Sequence, residues 1–360
     1  MDHMFRTITV RKGSQEFPRY SEGSIIELEN GMLLGAWARF KQGPYGGDDQ
    51  GNSEIMKAYS YDNGETWVEE EVFITLPEGW QNTYYPNFLQ LPNGEILFFY
   101  AQYKQVLAGL PVINRAYVRR SADGGRTFSQ PCPLWDDSLY GLAFANDTVR
   151  LLSSGRIIFP LNIRTGVLYD KEEHMMQASL YSDDGGRTFH VGKGRIDLPM
   201  RGAMEGYLEE LSDGRLIMVV RSQLGSVFKA YSLDAGETWT KPQTLGLRCP
   251  ESCNSIRKIP GTDHLILMWN DSEYDMGFAS HYGKRSPLSV ALSRDGGNTW
   301  KKIGDLENDP AYACSNASCT FLKNGNAVIT YWSLPYDPQW RLYGLWDLKA
   351  ALFRTQDLYR

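Results

Sequence analysis

One eight-residue pattern recurs five times along the chain, and it restricts the possible folds more than any other feature. The pattern is Ser-x-Asp-x-Gly-x-Thr-Trp/Phe, at residues 60–67 (SYDNGETW), 121–128 (SADGGRTF), 182–189 (SDDGGRTF), 232–239 (SLDAGETW) and 293–300 (SRDGGNTW). Successive copies lie 61, 61, 50 and 61 residues apart, a period typical of repeat architectures. Each position has a mechanical use in a hairpin turn. The glycine supplies positive φ, the aspartate can cap nearby backbone N–H groups, and the aromatic ring can pack into a neighbouring sheet.

A second element lies between the boxes: a strand, a Leu-x-x-Gly type of turn, and another strand. Copies occupy residues 26–37 around Gly31, 88–100 around Gly94, 149–161 around Gly155, 208–220 around Gly214, 256–269 around Gly261 and Thr262, and 319–332 around Gly325. Residues 345–353 read as one further strand without a box. Apolar residues almost never recur with helical spacing, whereas short β-branched and aromatic runs end at Asn-Gly, Asp-Gly and Gly-Gly. The chain is therefore read as all-β, a six-bladed β-propeller of four-stranded antiparallel blades forming a single domain over residues 1–360. An open ring would leave a sheet edge unpaired. The alternating run at residues 5–10 (FRTITV) is expected to supply the outer strand of the sixth blade and close the ring.

The overall charge narrows the function. With 37 Lys+Arg against 43 Asp+Glu the net charge is −6, without the basic field that nucleic-acid binding uses. No apolar run approaches the length of a membrane span, residues 216–220 being typical of the longest, so no membrane insertion is expected. The N-terminal residues carry no secretory apolar segment, which is consistent with a cytoplasmic protein or a secreted one whose signal peptide is absent from this chain. Five cysteines (Cys132, Cys249, Cys253, Cys314, Cys319) are an odd number without the C-x2-C spacing of zinc sites, and they read as free thiols rather than a metal centre. No cofactor is expected.

Inner propeller strands line a central channel, so their leading ends meet at its mouth. Counting nine residues back from each turn glycine gives Glu22, Tyr85, Asn146, Glu205 and Asn316, and the irregular fifth hairpin gives Cys253 or Asn254. This ring is the expected location of ligand chemistry.

The Ser-x-Asp-x-Gly-x-Thr-Trp box resembles the Asp box of the sialidase (neuraminidase) superfamily, and the likeness extends along the whole chain. In that family the boxes are structural and face away from the active site. The resemblance implies several roles. The segment 205–214 (EGYLEELSDG) is similar to the family's E-x-x-x-x-E-L-x-x-G, which makes Glu205 the match for the glutamate that polarises a tyrosine nucleophile. Arg221 and Arg285 match two arginines of the substrate-carboxylate triad. The glycine-rich loop 45–52 stands where the family carries its acid, which points to Asp48 or Asp49.

Two stretches depart from the family pattern. The first-blade Phe/Tyr-Arg-Ile-Pro motif is replaced by residues 20–24 (YSEGS), with Arg19 the nearest arginine and with Glu22 set to repel a substrate carboxylate. The nucleophilic tyrosine would lead the sixth inner strand, where residues 315–317 read SNA, and Tyr312 lies four residues earlier.

The resemblance implies a sialidase-like, exo-acting glycoside hydrolase cleaving a terminal, acidic sugar from a glycan or small carbohydrate. A tyrosine nucleophile would give a covalent glycosyl-tyrosine. Without it, Glu22 and Glu205 could serve as acid and base on a neutral or deoxy sugar, with Arg221 positioning hydroxyls, or His281 and Tyr282 could serve a lyase, so a propeller glycosidase or lyase acting on a non-sialic sugar such as rhamnose or a uronic acid is one alternative. The alternative class is a non-catalytic carbohydrate-binding propeller, with Trp80, Tyr84, Tyr85, Trp332 and Trp340 stacking on sugar faces.

Overall fold

The computed structural model describes residues 4–360 except 105–112, 136–141, 167–171, 279–280, 338, 340 and 343. Trp340 lies outside the described residues. Strands pair into six antiparallel sheets arranged as the blades of a propeller, as the repeats predict. The first blade comprises Arg19–Glu27, Leu33–Phe40, Ser53–Ser60 and Val68–Ile74, from inner to outer strand. Burial follows that order: the middle strands are buried on both faces, while Val68–Ile74 is mostly exposed.

The remaining blades repeat the plan. Their inner strands are Asn82–Gln90, the split pair Leu142–Ala143 and Arg150–Leu151, Met204–Glu210, Ser255–Lys258 and Tyr312–Phe321. Both pieces of the split strand pair with Ile157–Thr165. The last blade is completed by Arg6–Arg11, which pairs with Asp347–Arg354. Phe5 and Val10 bury against that blade and its neighbours, so the chain's beginning covers the edge that its end would otherwise expose.

Polar side chains join neighbouring blades around the ring. Ser24 Oγ accepts from Phe88 N at 3.0 Å, Asn87 donates to Ala145 O at 3.0 Å, and Asn162 Oδ1 accepts from Glu205 N at 2.8 Å. Asn254 donates to Val220 O, Asn270 to Cys314 O and Thr320 to Ile25 O. All six seams thus carry a side-chain to backbone hydrogen bond, the usual way to satisfy buried main-chain groups where no sheet ladder continues.

The five boxes form one recurrent turn. In the second, Ser121 Oγ donates to Asp123 Oδ1 at 2.8 Å and accepts from Gly125 N at 2.9 Å, while Asp123 accepts from Thr127 N and Oγ1. The other four repeat these contacts. Gly124 and Gly125 have φ of 72° and 83°, and a Cβ on Gly125 would lie 2.5 Å from Leu34 Cδ2. The box glycine is therefore needed for close packing against the adjacent blade as well as for its turn.

Candidate active site

The inner strands deliver their leading ends to a cleft of about 770 Å³ at one end of the ring. Four of the nine-residue positions share an uncommon conformation: Glu22, Tyr85, Glu205 and Asn316 have φ of 52°, 57°, 42° and 53°. Each sits in a register break of its inner strand. A left-handed residue inside a bulge turns one side chain out of the alternation and aims it along the channel. Such strain persists where the surrounding structure over-determines it.

All four line the cleft, together with Cys253 from blade five. Asn146 does not. Its blade carries the split inner strand, and the left-handed residue there is Asp147 (φ 53°), one position later and between the two strand pieces. Asn146 is fully buried, donating to Gly23 O and accepting from Tyr207 OH.

Glu205 and Arg221 form the first charged group. Arg221 Nη1 lies 2.7 Å from Glu205 Oε2, and the Cys253 thiol donates to the same oxygen at 2.8 Å. Burial alone would raise the proton affinity of Glu205, but Arg221, the Cys253 hydrogen bond and Arg285 together hold it below the usual carboxylate range. Arg221 Nη2 reaches Glu251 Oε1 at 3.2 Å, and Arg285 Nη2 donates to Glu251 O at 3.3 Å. Glu251 also pairs with Arg201 and accepts from Gln223. It is 2% exposed and orients both arginines. No motif marks it in the sequence, because it precedes the fifth inner strand in an irregular stretch.

Arg221 Nε and Arg285 Nε are fully buried without a hydrogen-bond partner. Burial, and then Arg221 beside it, lower Arg285 from its ordinary value. Both guanidiniums line the cleft on this wall, where their planar, fixed charge differs from the flexible ammonium of a lysine.

The opposite wall is built around Arg19. Its five N–H donors are all engaged: Nε with Ser21 Oγ, Nη1 with Gly47 O and Asp49 Oδ1, and Nη2 with Glu22 Oε1 and Tyr84 OH. The guanidinium carbon stands 4.1 Å from the Trp346 ring centre and 4.4 Å from that of Phe40. Arg19 therefore does occupy the cleft despite the altered local motif, but as a closed node. Glu22 is 1% exposed, and its Oε2 has no partner. Burial raises its proton affinity, with Arg19 opposing.

The loop aspartates separate. Asp49 lies 2.6 Å from Arg19, whereas Asp48 accepts from Gln50 N within its own turn; both line the cleft. Tyr312 is not brought into the site. It begins the sixth inner strand, 42% exposed, with its N–H bonded to Asp309 O. Asn316, four residues on, takes the mouth position and accepts from Trp332 Nε1 at 3.0 Å. Tyr84, Tyr85 and Trp332 line the cleft, as does His281, which burial and the nearby Arg285 hold well below its ordinary proton affinity. Trp80 and Tyr282 are not among the lining residues. Four cysteines are buried and Cys132 is exposed.

The family model for the BNR repeat-like domain matches residues 45–329. The chain belongs to the BNR-repeat propellers of the sialidase superfamily. A sialidase of Micromonospora viridifaciens is 28% identical over 324 residues, covering 80% of this chain and 46% of that protein. This chain thus spans about half the length of that curated relative. Among solved structures, a Dyadobacter fermentans protein of unknown function superposes with a TM-score of 0.74 at 17% identity, over 98% of this chain and 99% of that one. Trypanosoma rangeli sialidase gives 0.73 at 14% identity, over 100% of this chain and 61% of that one. At these identities the two structures speak to the fold alone.

Proposed function

We propose that this BNR propeller is an exo-acting glycoside hydrolase that removes a terminal acidic sugar from a glycan. The observation that carries the reading is the placing of two buried carboxyl groups in one cleft: Glu205 lies 2.7 Å from Arg221 and 2.8 Å from the Cys253 thiol, which hold it below the usual carboxylate range, while burial raises the proton affinity of Glu22. Pairs of carboxyl groups pushed apart in this way suit an acid and its ionised partner. A cleft that only bound sugar would need neither.

In this reading Glu22, at the channel mouth, is the proton donor to the glycosidic oxygen as the bond to the leaving group breaks, a movement of its side chain from its buried position bringing it to the substrate. Glu205 acts at the anomeric carbon, and the configuration of the released sugar tells whether it attacks directly or activates water. Arg221 and Arg285, which line the cleft, bind the sugar's acid group. Tyr85 and Trp332 offer ring faces to the sugar. The relationship to a curated sialidase supports glycosidase chemistry. A panel of 4-methylumbelliferyl glycosides, sialoside and uronides included, tests the reading: turnover of an acidic glycoside supports it, and no turnover of any member refutes it.

A further inference from the structure

Arg221 is held at both ends of its guanidinium. Nη1 lies 2.7 Å from Glu205 Oε2, and Nη2 lies 3.2 Å from Glu251 Oε1. One cation therefore spans two carboxylates, of which Glu205 lines the cleft and Glu251 is not among the lining residues. An arginine held by one acceptor keeps several side-chain torsions free, and a second acceptor in a fixed place removes them.

Glu251 is itself fixed. Its N–H donates to His281 O at 3.0 Å, and its carbonyl accepts from Arg285 Nη2 at 3.3 Å. Among the described residues its carboxylate meets donors: Arg201 Nη1 and Arg221 Nη2 on Oε1, and Gln223 Nε2 on Oε2 at 3.1 Å. Arg201 is braced in turn from blade three, where Glu173 Oε2 lies 2.8 Å from its Nη2 and Arg164 Nε lies 2.9 Å from Glu173 Oε1. Three arginines and three carboxylates thus alternate from Arg164 to Glu205, contributed by segments of blades three, four and five. Glu173 and Glu251 are each 2% exposed. Carboxylates buried so deeply depend on their partners staying in place.

The row ends at the group that governs Glu205. Near that carboxylate stand Arg221, Arg285, the Cys253 thiol and the phenols of Tyr85, Tyr103 and Tyr207. Of the two cations, Arg221 is the one that pairs with it among the described residues.

Resting on the hydrolase reading above, in which Glu205 acts at the anomeric carbon, we propose that Glu251 is a positioning residue for that reaction. Braced by Glu173 through Arg201, it holds the far end of Arg221 so that the near end stays on Glu205. It acts through Arg221 and not on the substrate.

Two variants separate this role from simple charge. Glu251→Asp keeps the charge but withdraws the carboxylate by one methylene, out of reach of Arg221. Glu251→Gln drops the charge but keeps the reach and an acceptor oxygen, with Gln223 turning its own amide to match. Carbon-13 NMR of the glutamate side-chain carboxyls follows Glu205 without requiring turnover, its signal being assigned by its loss in Glu205→Gln. Glu251→Asp should raise the pH at which Glu205 titrates, because Arg221 is released. It should also lower kcat/KM on the best aryl glycoside about tenfold or more. Glu251→Gln should leave the Glu205 titration at or below its wild-type position, since losing a neighbouring negative charge favours the ionised form. A wild-type titration of Glu205 in Glu251→Asp, whatever happens to Tm, overturns the proposal. So does a raised titration in Glu251→Gln, which decides alone if the Asp variant does not fold. The expected shifts without turnover of any glycoside by the wild-type chain would keep the positioning of Glu205 and refute the hydrolase reading. Turnover with Glu205 unshifted in Glu251→Asp would do the reverse.

Discussion

Cys253 donates its thiol hydrogen to Glu205 Oε2 across 2.8 Å, on the same oxygen that Arg221 approaches at 2.7 Å. A hydrogen bond to the ionised form of a carboxyl group stabilises that form. Cys253→Val removes the donor while keeping an apolar side chain of similar size. The proton affinity of Glu205 should rise, and the acidic limb of kcat/KM against pH should move to higher pH. Cys253→Ser keeps an O–H donor and should restore most of the wild-type profile. Identical acidic limbs in all three proteins would show that the thiol does not tune Glu205.

Glu22 gives the opposite limb. Its folded-state proton affinity is raised, so the protonated form needed for acid catalysis survives to higher pH than for an ordinary glutamate, and activity falls as pH passes through the raised value. Glu22→Gln should flatten that basic limb. The rate loss should be about 10²–10⁴-fold on a poor leaving group, and much smaller on a dinitrophenyl glycoside whose leaving group needs no proton. Equal losses on both substrates would show that Glu22 is no acid.

The boxes predict a stability effect separable from chemistry. Hydrogen bonds from Thr127, first the hydroxyl and then the amide, hold Asp123 well below the usual carboxylate range. A depressed folded-state value contributes stability above the unfolded value and loses it as pH falls through the folded one. Asp123→Ala should cost roughly 0.5–2 kcal/mol near neutral pH, as loss of a side-chain cap does, and less of a difference should remain in acid. Turnover at 25 °C should be unchanged. Chemical denaturation at two pH values, beside an activity assay, reads both.

Ring closure can be tested by removing residues 1–12. The truncation exposes the edge of Asp347–Arg354 and the surface covered by Phe5 and Val10. Burying two such side chains contributes about 3–6 kcal/mol, so a lowered Tm and concentration-dependent aggregation are expected. An unchanged Tm would mean that the strand contributes no net closure.

Most of the architecture was legible because each blade repeats the same turn chemistry. Gly31, Gly94 and Gly214 have φ of 81°, 84° and 83°, so counting from them landed on equivalent points of equivalent strands. The count failed for Asn146, where the inner strand is interrupted and no sequence signal marks the one-residue displacement. Arg19 was visible as a residue, but its saturation was not. That depends on Gly47, Asp49 and Tyr84, which are distant in the chain and converge only in the folded ring. Tyr312 was drawn toward the site by chemistry alone; strand register leaves it four residues short. Glu251 had no motif, since its role arises from three arginines brought from separate segments.

The central claim is that Glu205, held ionised at the channel mouth, acts on the bond being broken. Glu205→Gln keeps the shape and a hydrogen-bonding carbonyl while removing the charge. On the best aryl glycoside from the panel, kcat should fall by about 10²–10⁴-fold, with the calorimetric affinity for the free sugar acid changing far less. Full turnover in Glu205→Gln would contradict the account.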